Sequence, residues 1–354
     1  MPPARLLHLS VIIPAFNEEG VIELHADRVA SFLHGHLTAG QDFEVLVVDD
    51  GSIDSTAAIL AGMQASRPWL RTVRHPRNAG RGKALRTGFA AARGAFIVTL
   101  DADLSYSPDH IARLLAPLER GTADVVLASA YHPQGSVRNV PFGRAMLSRL
   151  GNLVLSQAVG GGIHTATCVV RAYTREVLDH LILFGNGKDL HLEIIQKARI
   201  LGFRVVEVPA DLCWLPVKRS RAAKGMSLGD LWSLSRRHLF YNFLMRPTSL
   251  FVLPLLLFAI VFAATSVAIL LGYSHQYAAM EGLSGLSRAY QALRANMQGA
   301  PLSYVVWGLS LVLLLQFLSL NLMSKQSNHH YEEMLRHVSR LERLARRAQG
   351  PGDE

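Results

Sequence analysis

The stretch Ile97-Val98-Thr99-Leu100-Asp101-Ala102-Asp103 runs an apolar segment straight into two aspartates separated by one small residue. β-Branched residues suit a half-buried pleated surface, so Ile97 to Leu100 reads as a strand. Side chains alternate along a strand, which would put Asp101 and Asp103 on one side, with Ala102 leaving room between them. Two carboxylates so placed present oxygens to a hard divalent cation, which can bridge to substrate phosphates. A solvated turn is the alternative, because aspartate is a common turn residue.

The same pattern recurs upstream. Leu9 to Pro14 reads as a buried strand ended by proline, and Phe16-Asn17-Glu18-Glu19 opens a helix with Asn17 as N-cap and acids in the first turn. A second strand, Phe43 to Val48, ends in Asp49-Asp50-Gly51-Ser52, and Ser52 or Asp54 caps a helix to about Met63. A short strand from Leu70 to Val73 precedes Asn78-Ala79-Gly80-Arg81-Gly82-Lys83-Ala84-Leu85 and a helix to Ala92. Two glycines and two cations at a helix start suit an anion received on backbone amides; a flexible loop with solvated charges is the alternative. Pro108 fits a first helical turn. Further on, Asp124 to Ser129 reads as a strand, Pro141 to Val159 as a helix bearing Arg144 and Arg149, Ala172 to Leu181 and Leu190 to Leu201 as helices, and Val205 to Val208 as a strand. Strand, polar loop and helix in alternation predict an α/β chain with a parallel sheet, whose ligands sit beyond the carboxyl ends of the strands.

Half of the residues are apolar and 18% are charged, a balance unusual for a soluble chain. The apolar excess sits in Ser249 to Tyr273 and Leu302 to Met323, neither of which holds a charged side chain. Each reaches the roughly 20 residues that cross a bilayer as a helix. The formal charge of +9 gathers at their outer flanks. Lys218, Arg219, Arg221, Lys224, Arg236, Arg237 and Arg246 precede the first run; Lys325, Arg336, Arg340, Arg343, Arg346 and Arg347 follow the second. By the positive-inside rule both long ends are cytoplasmic, in a bacterial inner membrane or its equivalent. Ser227 to Phe243 reads as an interfacial amphipathic helix. The tail from Tyr331 to Ala348 has an apolar stripe and a basic face, suited to a membrane surface or to self-association in a homo-oligomer. Because the cations bracket apolar spans and no recognition motif appears, nucleic acid is not expected as a partner.

Two cysteines, Cys168 and Cys213, form no disulfide framework and fit a reducing compartment. The N-terminus lacks the features of a signal peptide, so the part before the spans is expected to stay inside. No HExxH or GxSxG pattern occurs, and Cys168 has no evident partner base; a covalent hydrolase is not indicated.

Taken in order, Val11-Ile12-Ile13-Pro14-Ala15-Phe16-Asn17-Glu18, Val47 to Thr56, Asn78 to Leu85, and Asp101-Ala102-Asp103-Leu104 resemble the family 2 glycosyltransferases, above all their polyprenyl-phosphate branch. The resemblance covers about residues 8 to 215. It implies a GT-A nucleotide-sugar transferase domain (1–215; a mixed, mostly parallel sheet with flanking helices); the apolar runs and flanking charges beyond it divide the rest into a juxtamembrane amphipathic segment (216–247), a two-helix transmembrane hairpin (248–324) and a basic cytoplasmic tail (325–354). It implies an inverting transfer from a UDP- or GDP-sugar to undecaprenyl or dolichyl phosphate. On that pattern Pro14, Phe16, Glu18, Val48, Asp50 and Lys83 bind the nucleotide sugar together with Asp101, Ala102 and Asp103, and Asp101 and Asp103 hold Mg²⁺ or Mn²⁺.

A phosphate monoester has a second pKa of about 6, so such an acceptor is largely dianionic at neutral pH and attacks without a general base. Arginines must then hold it near an anionic donor. The sequence departs from the family on this side. Ala128-Ser129-Ala130 stands where Gly-Ser-Arg or Gly-Thr-Arg is usual, Thr165-Ala166-Thr167 stands for Asp-Leu-Thr, and a later Arg and Gly-x-Ser-Lys are blurred into Arg221, Lys224, Gly225 and Ser227. Arg138, Arg144, Arg171 and Arg221 are therefore the acceptor-phosphate candidates, with Arg144 counted beside Asp101 and Asp103 as catalytic. Two other readings compete. One is transfer to a glycolipid or diacylglycerol hydroxyl, which would need a base such as Asp189 or Glu193; the other is a non-catalytic membrane scaffold.

Overall fold

The computed structural model describes residues 7–103, 105–141, 143, 145–146, 148–149, 151–152, 162–187, 189–214, 247–280, 282 and 284–348. The chain forms two compact units, Met1–Leu231 with Met334–Glu354, and Trp232–Glu333.

In the first unit the strands are β1 (Leu7–Ala15), β2 (Phe43–Asp49), β3 (Leu70–Arg74), β4 (Gly94–Thr99), β5 (Val125–Ser129), β6 (Ser136–Arg138), β7 (Arg171–Thr174), β8 (Val205–Pro209) and β9 (Asp211–Cys213). The helices are α1 (Ile22–His36), α2 (Thr56–Ser66), α3 (Arg81–Ala91), α4 (His110–Glu119), α5 (Arg175–His180) and α6 (Leu190–Ile200). Seven strands pair in the order β3-β2-β1-β4-β7-β5-β8, and β6 pairs with β9 in a small second sheet. All neighbours in the large sheet are parallel except β7, which runs antiparallel to both β4 and β5. Helices cover both faces, so β1 and β2 are apolar almost without interruption. Their residues Val11, Ile13, Val45 and Val47 share one core with α1, α2 and α4.

The strand order reverses direction between β1 and β4, and there the carboxyl ends of the two strands leave a crevice. Pro14 is tolerated in β1 for a geometric reason. The Ile12 carbonyl accepts from Leu100 N at 3.0 Å, so even-numbered residues face β4, and the N–H that Pro14 lacks would point past the end of that strand.

Two local expectations need correcting. Asn17 is not an N-cap: α1 starts only at Ile22, and Asn17 takes a positive φ of 57° while its Oδ1 accepts from Ile53 N at 3.0 Å. The loop after β1 is thereby tied to the loop after β2. Ala172 and Tyr173 are strand, not helix, because pairing on both sides at the centre of the sheet outweighs local helix propensity. The helix begins at Arg175, where the Thr174 side chain accepts from Val177 N. The tail touches the rest of its own unit at two helix ends. Here Arg336 Nε donates to the Ile200 carbonyl at 3.1 Å and Ser339 Oγ to that of His180 at 3.4 Å, satisfying the exposed carbonyl ends of α6 and α5.

The second unit is built on α7 (Pro247–Ala279), α8 (Gly285–Gly299) and the long α9 (Pro301–Ala348), whose C-terminal turns belong to the first unit. Phe251–Ala279 and Pro301–Leu341, of mean hydropathy 2.6 and 2.0, are long and apolar enough to cross a membrane. They form an antiparallel hairpin: Phe258 stacks on Phe317 with ring centroids 5.6 Å apart, and Trp307 Nε1 donates to Ser266 Oγ at 2.8 Å. Asn296 of α8 donates from Nδ2 to the Ile269 carbonyl and to Tyr304 Oη, at 3.0 and 2.8 Å. No break separates the second apolar run from the tail, which continue as one helix.

Candidate active site

At the crevice between β1 and β4 lies a cleft of about 340 Å³. Pro14, Ala15, Phe16 and Glu18 come from the end of β1, Asp50 from the end of β2, Asn78, Gly80, Arg81 and Ala84 from the start of α3, and Asp101, Ala102 and Asp103 from the turn after β4. The strand stops at Thr99, so the two aspartates sit in a turn and not in strand alternation, yet both line the cleft. Asp101 Oδ1 accepts from Arg81 Nη1 at 3.1 Å, and Asp103 Oδ1 from Ser105 N at 3.0 Å.

Asp50 is almost wholly buried, and its carboxylate holds a loop in place. Oδ1 accepts from Ala79 N at 3.0 Å and Oδ2 from Gly80 N at 2.8 Å, while His75 Nδ1 lies 2.8 Å from Oδ1. That loop aims Arg81 at Asp101. The tight return after β2 needs Gly51, whose φ is 75° and whose missing Cβ would meet the Arg77 backbone at 2.4 Å.

The amides at the start of α3 are not an anion cradle. Gly82 N and Lys83 N donate to the Asn186 carbonyl at 2.8 and 3.3 Å, and a Cβ on Gly82 would meet the Asn186 backbone at 2.5 Å. The loop of residues 184–187 occupies the place an anion would take. It is braced from within: Glu193 accepts from Phe184 N and Gly185 N at 3.0 and 2.8 Å, and Lys197 Nζ pairs with Glu193 at 2.7 Å with both side chains buried.

Burial pushes the Glu18 carboxyl up to about 7, with the charges of Asp103, Asp54 and Asp101 adding to the shift. Among the described lining residues the one cation is Arg81. The cleft thus concentrates acid against a single guanidinium, an arrangement that a bound cation would relieve. Among the described residues no three His, Cys, Asp or Glu side chains gather into a protein-only metal cage. Asp101 and Asp103 fit Mg²⁺ or Mn²⁺ as a partial shell, since such ions commonly take one or two carboxylates and complete their coordination with water and substrate phosphates.

The other candidates divide. Val48 is buried in β2 and does not line the cleft. Lys83 is exposed and does not line the cleft, to which α3 contributes Arg81 and Ala84. Arg138 is exposed on β6, outside the cleft lining. Arg171 is corrected: it is wholly buried, and its guanidinium donates to the carbonyls of Cys168, His191 and Ala166 at 2.7, 2.8 and 2.6 Å, so it ties the core together and cannot meet a lipid phosphate. Glu193 as a base is corrected too, because Lys197 and two amides occupy its carboxylate. Asp189 Oδ1 accepts from Gly187 N at 3.0 Å. Arg144 and Arg221 lie outside the described residues. Arg81 was missed as a cleft residue; helical spacing from the start of α3 puts 81, 84 and 88 on one face and 83 off it.

The sequence profile described as Glycosyl transferase family 2 matches residues 10–182. Over 206 residues the chain is 38% identical to the polyprenol monophosphomannose synthase of Mycolicibacterium smegmatis, covering 56% of this chain and 75% of that protein. Among solved structures it is similar to glucosyl-3-phosphoglycerate synthase from Mycobacterium tuberculosis in complex with Mn²⁺, UDP and glucosyl-3-phosphoglycerate, with TM-score 0.50 and 24% identity over 67% of this chain and 79% of that one. The same enzyme in complex with Mg²⁺ and UDP gives TM-score 0.48 and 25% identity, over 67% and 78% of the two chains. The first of these likenesses shows that the domain has the GT-A fold.

Proposed function

The chain belongs to glycosyl transferase family 2, and we propose that it is an inverting transferase that moves a monosaccharide from a UDP- or GDP-sugar to a polyprenyl phosphate at a membrane surface. The observation that supports this best is the gathering of Asp101 and Asp103 in an acidic cleft at the β1/β4 crevice, with Arg81 in contact with Asp101. Similarity to a polyprenol monophosphomannose synthase points to the acceptor.

Asp101 and Asp103 would hold Mg²⁺ or Mn²⁺, which when bound stabilises charge on the departing nucleoside diphosphate as a Lewis acid. The remaining chemistry belongs to the chain. Arg81 exchanges its contact with Asp101 for the donor diphosphate, a planar fork suited to phosphate oxygens. Pro14, Phe16 and Ala102 wall the donor, and Asp50 holds the loop that aims Arg81. An acceptor phosphate needs no proton removed, which agrees with Glu193 being committed to Lys197. Arg138, Arg144 and Arg221 remain the cations assigned to that phosphate.

Helices α7 and α9 cross the bilayer in this reading, with the catalytic domain and both termini on the cytoplasmic side. The divisions at 215, 247 and 324 mark the catalytic, juxtamembrane, hairpin and tail segments, and self-association runs through the spans and the tail. The gain for the reaction is effective concentration, since the cleft and the lipid head group share a surface.

The test offers radiolabelled UDP- and GDP-sugars to the full chain in membranes supplied with undecaprenyl phosphate, dolichyl phosphate or diacylglycerol. Label made acid-labile on the polyprenyl phosphates is the expected result. Label on diacylglycerol alone would establish a hydroxyl acceptor instead, and nucleotide binding with no transfer to any lipid would favour a scaffold.

A further inference from the structure

His25 lies in the first turns of α1, almost wholly buried, 77 residues away in sequence from the aspartate turn. Its Nδ1 hydrogen-bonds to the carbonyl of Ala102, the residue between Asp101 and Asp103. A carbonyl only accepts, so Nδ1 carries the proton.

Besides the Arg81 contact to Asp101, three hydrogen bonds hold the turn. Leu100 N donates to the Ile12 carbonyl at 3.0 Å before it, and Asp103 Oδ1 accepts from Ser105 N at 3.0 Å after it. Only the His25 bond, of these three, takes hold of the backbone between the two carboxylates. Through it the peptide following Ala102 is turned into the core, and the two aspartate side chains are left to the cleft. The same helix receives the chain from Glu18, whose carbonyl accepts from Val21 N and Ile22 N at 3.0 and 2.9 Å. One helix start therefore fixes both Glu18 and the aspartate pair.

We propose that His25 is a positioning residue that presets the Asp101–Asp103 turn for a divalent cation. The proposal rests on the reading of that pair as the metal ligands. Groups that orient a metal ligand from behind typically change affinity by about 10- to 100-fold when removed, and a turn that must be ordered on binding loses affinity in the same way. An asparagine at this position can place its amide N–H where Nδ1 stands; leucine cannot donate, and a glutamine amide reaches instead toward the Nε2 position.

The experiment measures Mn²⁺ binding to the full chain in nanodiscs by electron paramagnetic resonance with saturating UDP or GDP, for wild type, His25→Leu, His25→Asn, His25→Gln and Asp101→Asn. The role requires Mn²⁺ affinity about tenfold or more weaker in His25→Leu and His25→Gln, near-wild-type affinity in His25→Asn, and unchanged nucleotide binding measured without metal. Equal affinity in wild type, His25→Gln and His25→Leu would overturn the His25 role alone. So would equal loss in His25→Asn and His25→Gln, which would mark a merely structural histidine. A wild type that takes up no more Mn²⁺ than Asp101→Asn would overturn the metal reading, and the His25 role with it.

Discussion

Arg81 and Lys83 stand two residues apart on α3, and the difference between them is one of direction. Arg81 lines the cleft and touches Asp101; Lys83 is exposed and does not line it. Replacing Arg81 by Ala should weaken donor binding about 10-fold or more, the worth of a charge-assisted contact to phosphate. Replacing Lys83 by Ala should leave it within twofold, and isothermal titration with a nucleotide sugar reads both. Glu18 gives a prediction in pH. Its carboxyl is raised from 4.5 to about 7, so between those values the folded protein holds a proton that the unfolded chain releases, and stability falls as pH rises through that window. Glu18→Gln should therefore raise stability at pH 8 and leave it little changed near pH 4. Discounted for the solvent that reaches this half-exposed side chain, the gain is about 1 kcal/mol, seen as a higher melting temperature. The acids of the cleft were legible because aspartate at the end of an apolar strand is conspicuous. Arg171 was misread for the opposite reason: nothing local tells a phosphate-binding arginine from one that spends its guanidinium on three buried carbonyls.

At the scale of elements, the alternation of strand, loop and helix through β1 to β4 was readable, because parallel strands buried on both faces are apolar runs between polar loops. The insertion of β7 between β4 and β5 was not. Its four residues, Arg171–Thr174, would pass for the start of a helix, and only pairing with strands far away in sequence makes them extended. The loop of residues 184–187 escaped for the same reason, since its partner at the start of α3 lies about 100 residues away. Close packing between α3 and β1 is a further consequence that sequence conceals. A Cβ on Gly88 would meet Ile12 Cγ2 at 2.5 Å in the core. Gly88→Ala should cost about 1–3 kcal/mol of stability by overpacking, despite alanine's better helix propensity. Denaturant unfolding measures it; a stabilised variant would mean that α3 stands farther from the sheet.

The whole molecule joins a GT-A domain to a hairpin whose two helices are long and apolar enough to cross a membrane. Both apolar runs were plain in the sequence, whereas the unbroken course of α9 was not. With Cys168 and Cys213 replaced by serine, Tyr290→Cys in α8 should react with a membrane-impermeant maleimide added outside intact cells, and Ser327→Cys should not. The reverse pattern would place the catalytic domain on the outer side.

On the function proposed above, Asp101 and Asp103 make this chain a metal-dependent transferase of sugar to a lipid phosphate. The most direct measurement follows radiolabelled sugar from its nucleotide into the polyprenyl-phosphate fraction, in membranes bearing wild type, Asp101→Asn or Asp103→Asn, with Mn²⁺ and with chelator. Wild-type label that disappears on chelation, returns with Mn²⁺ and falls at least 100-fold in either variant is the expected outcome. Label that survives chelation, or variants as active as wild type, would contradict it.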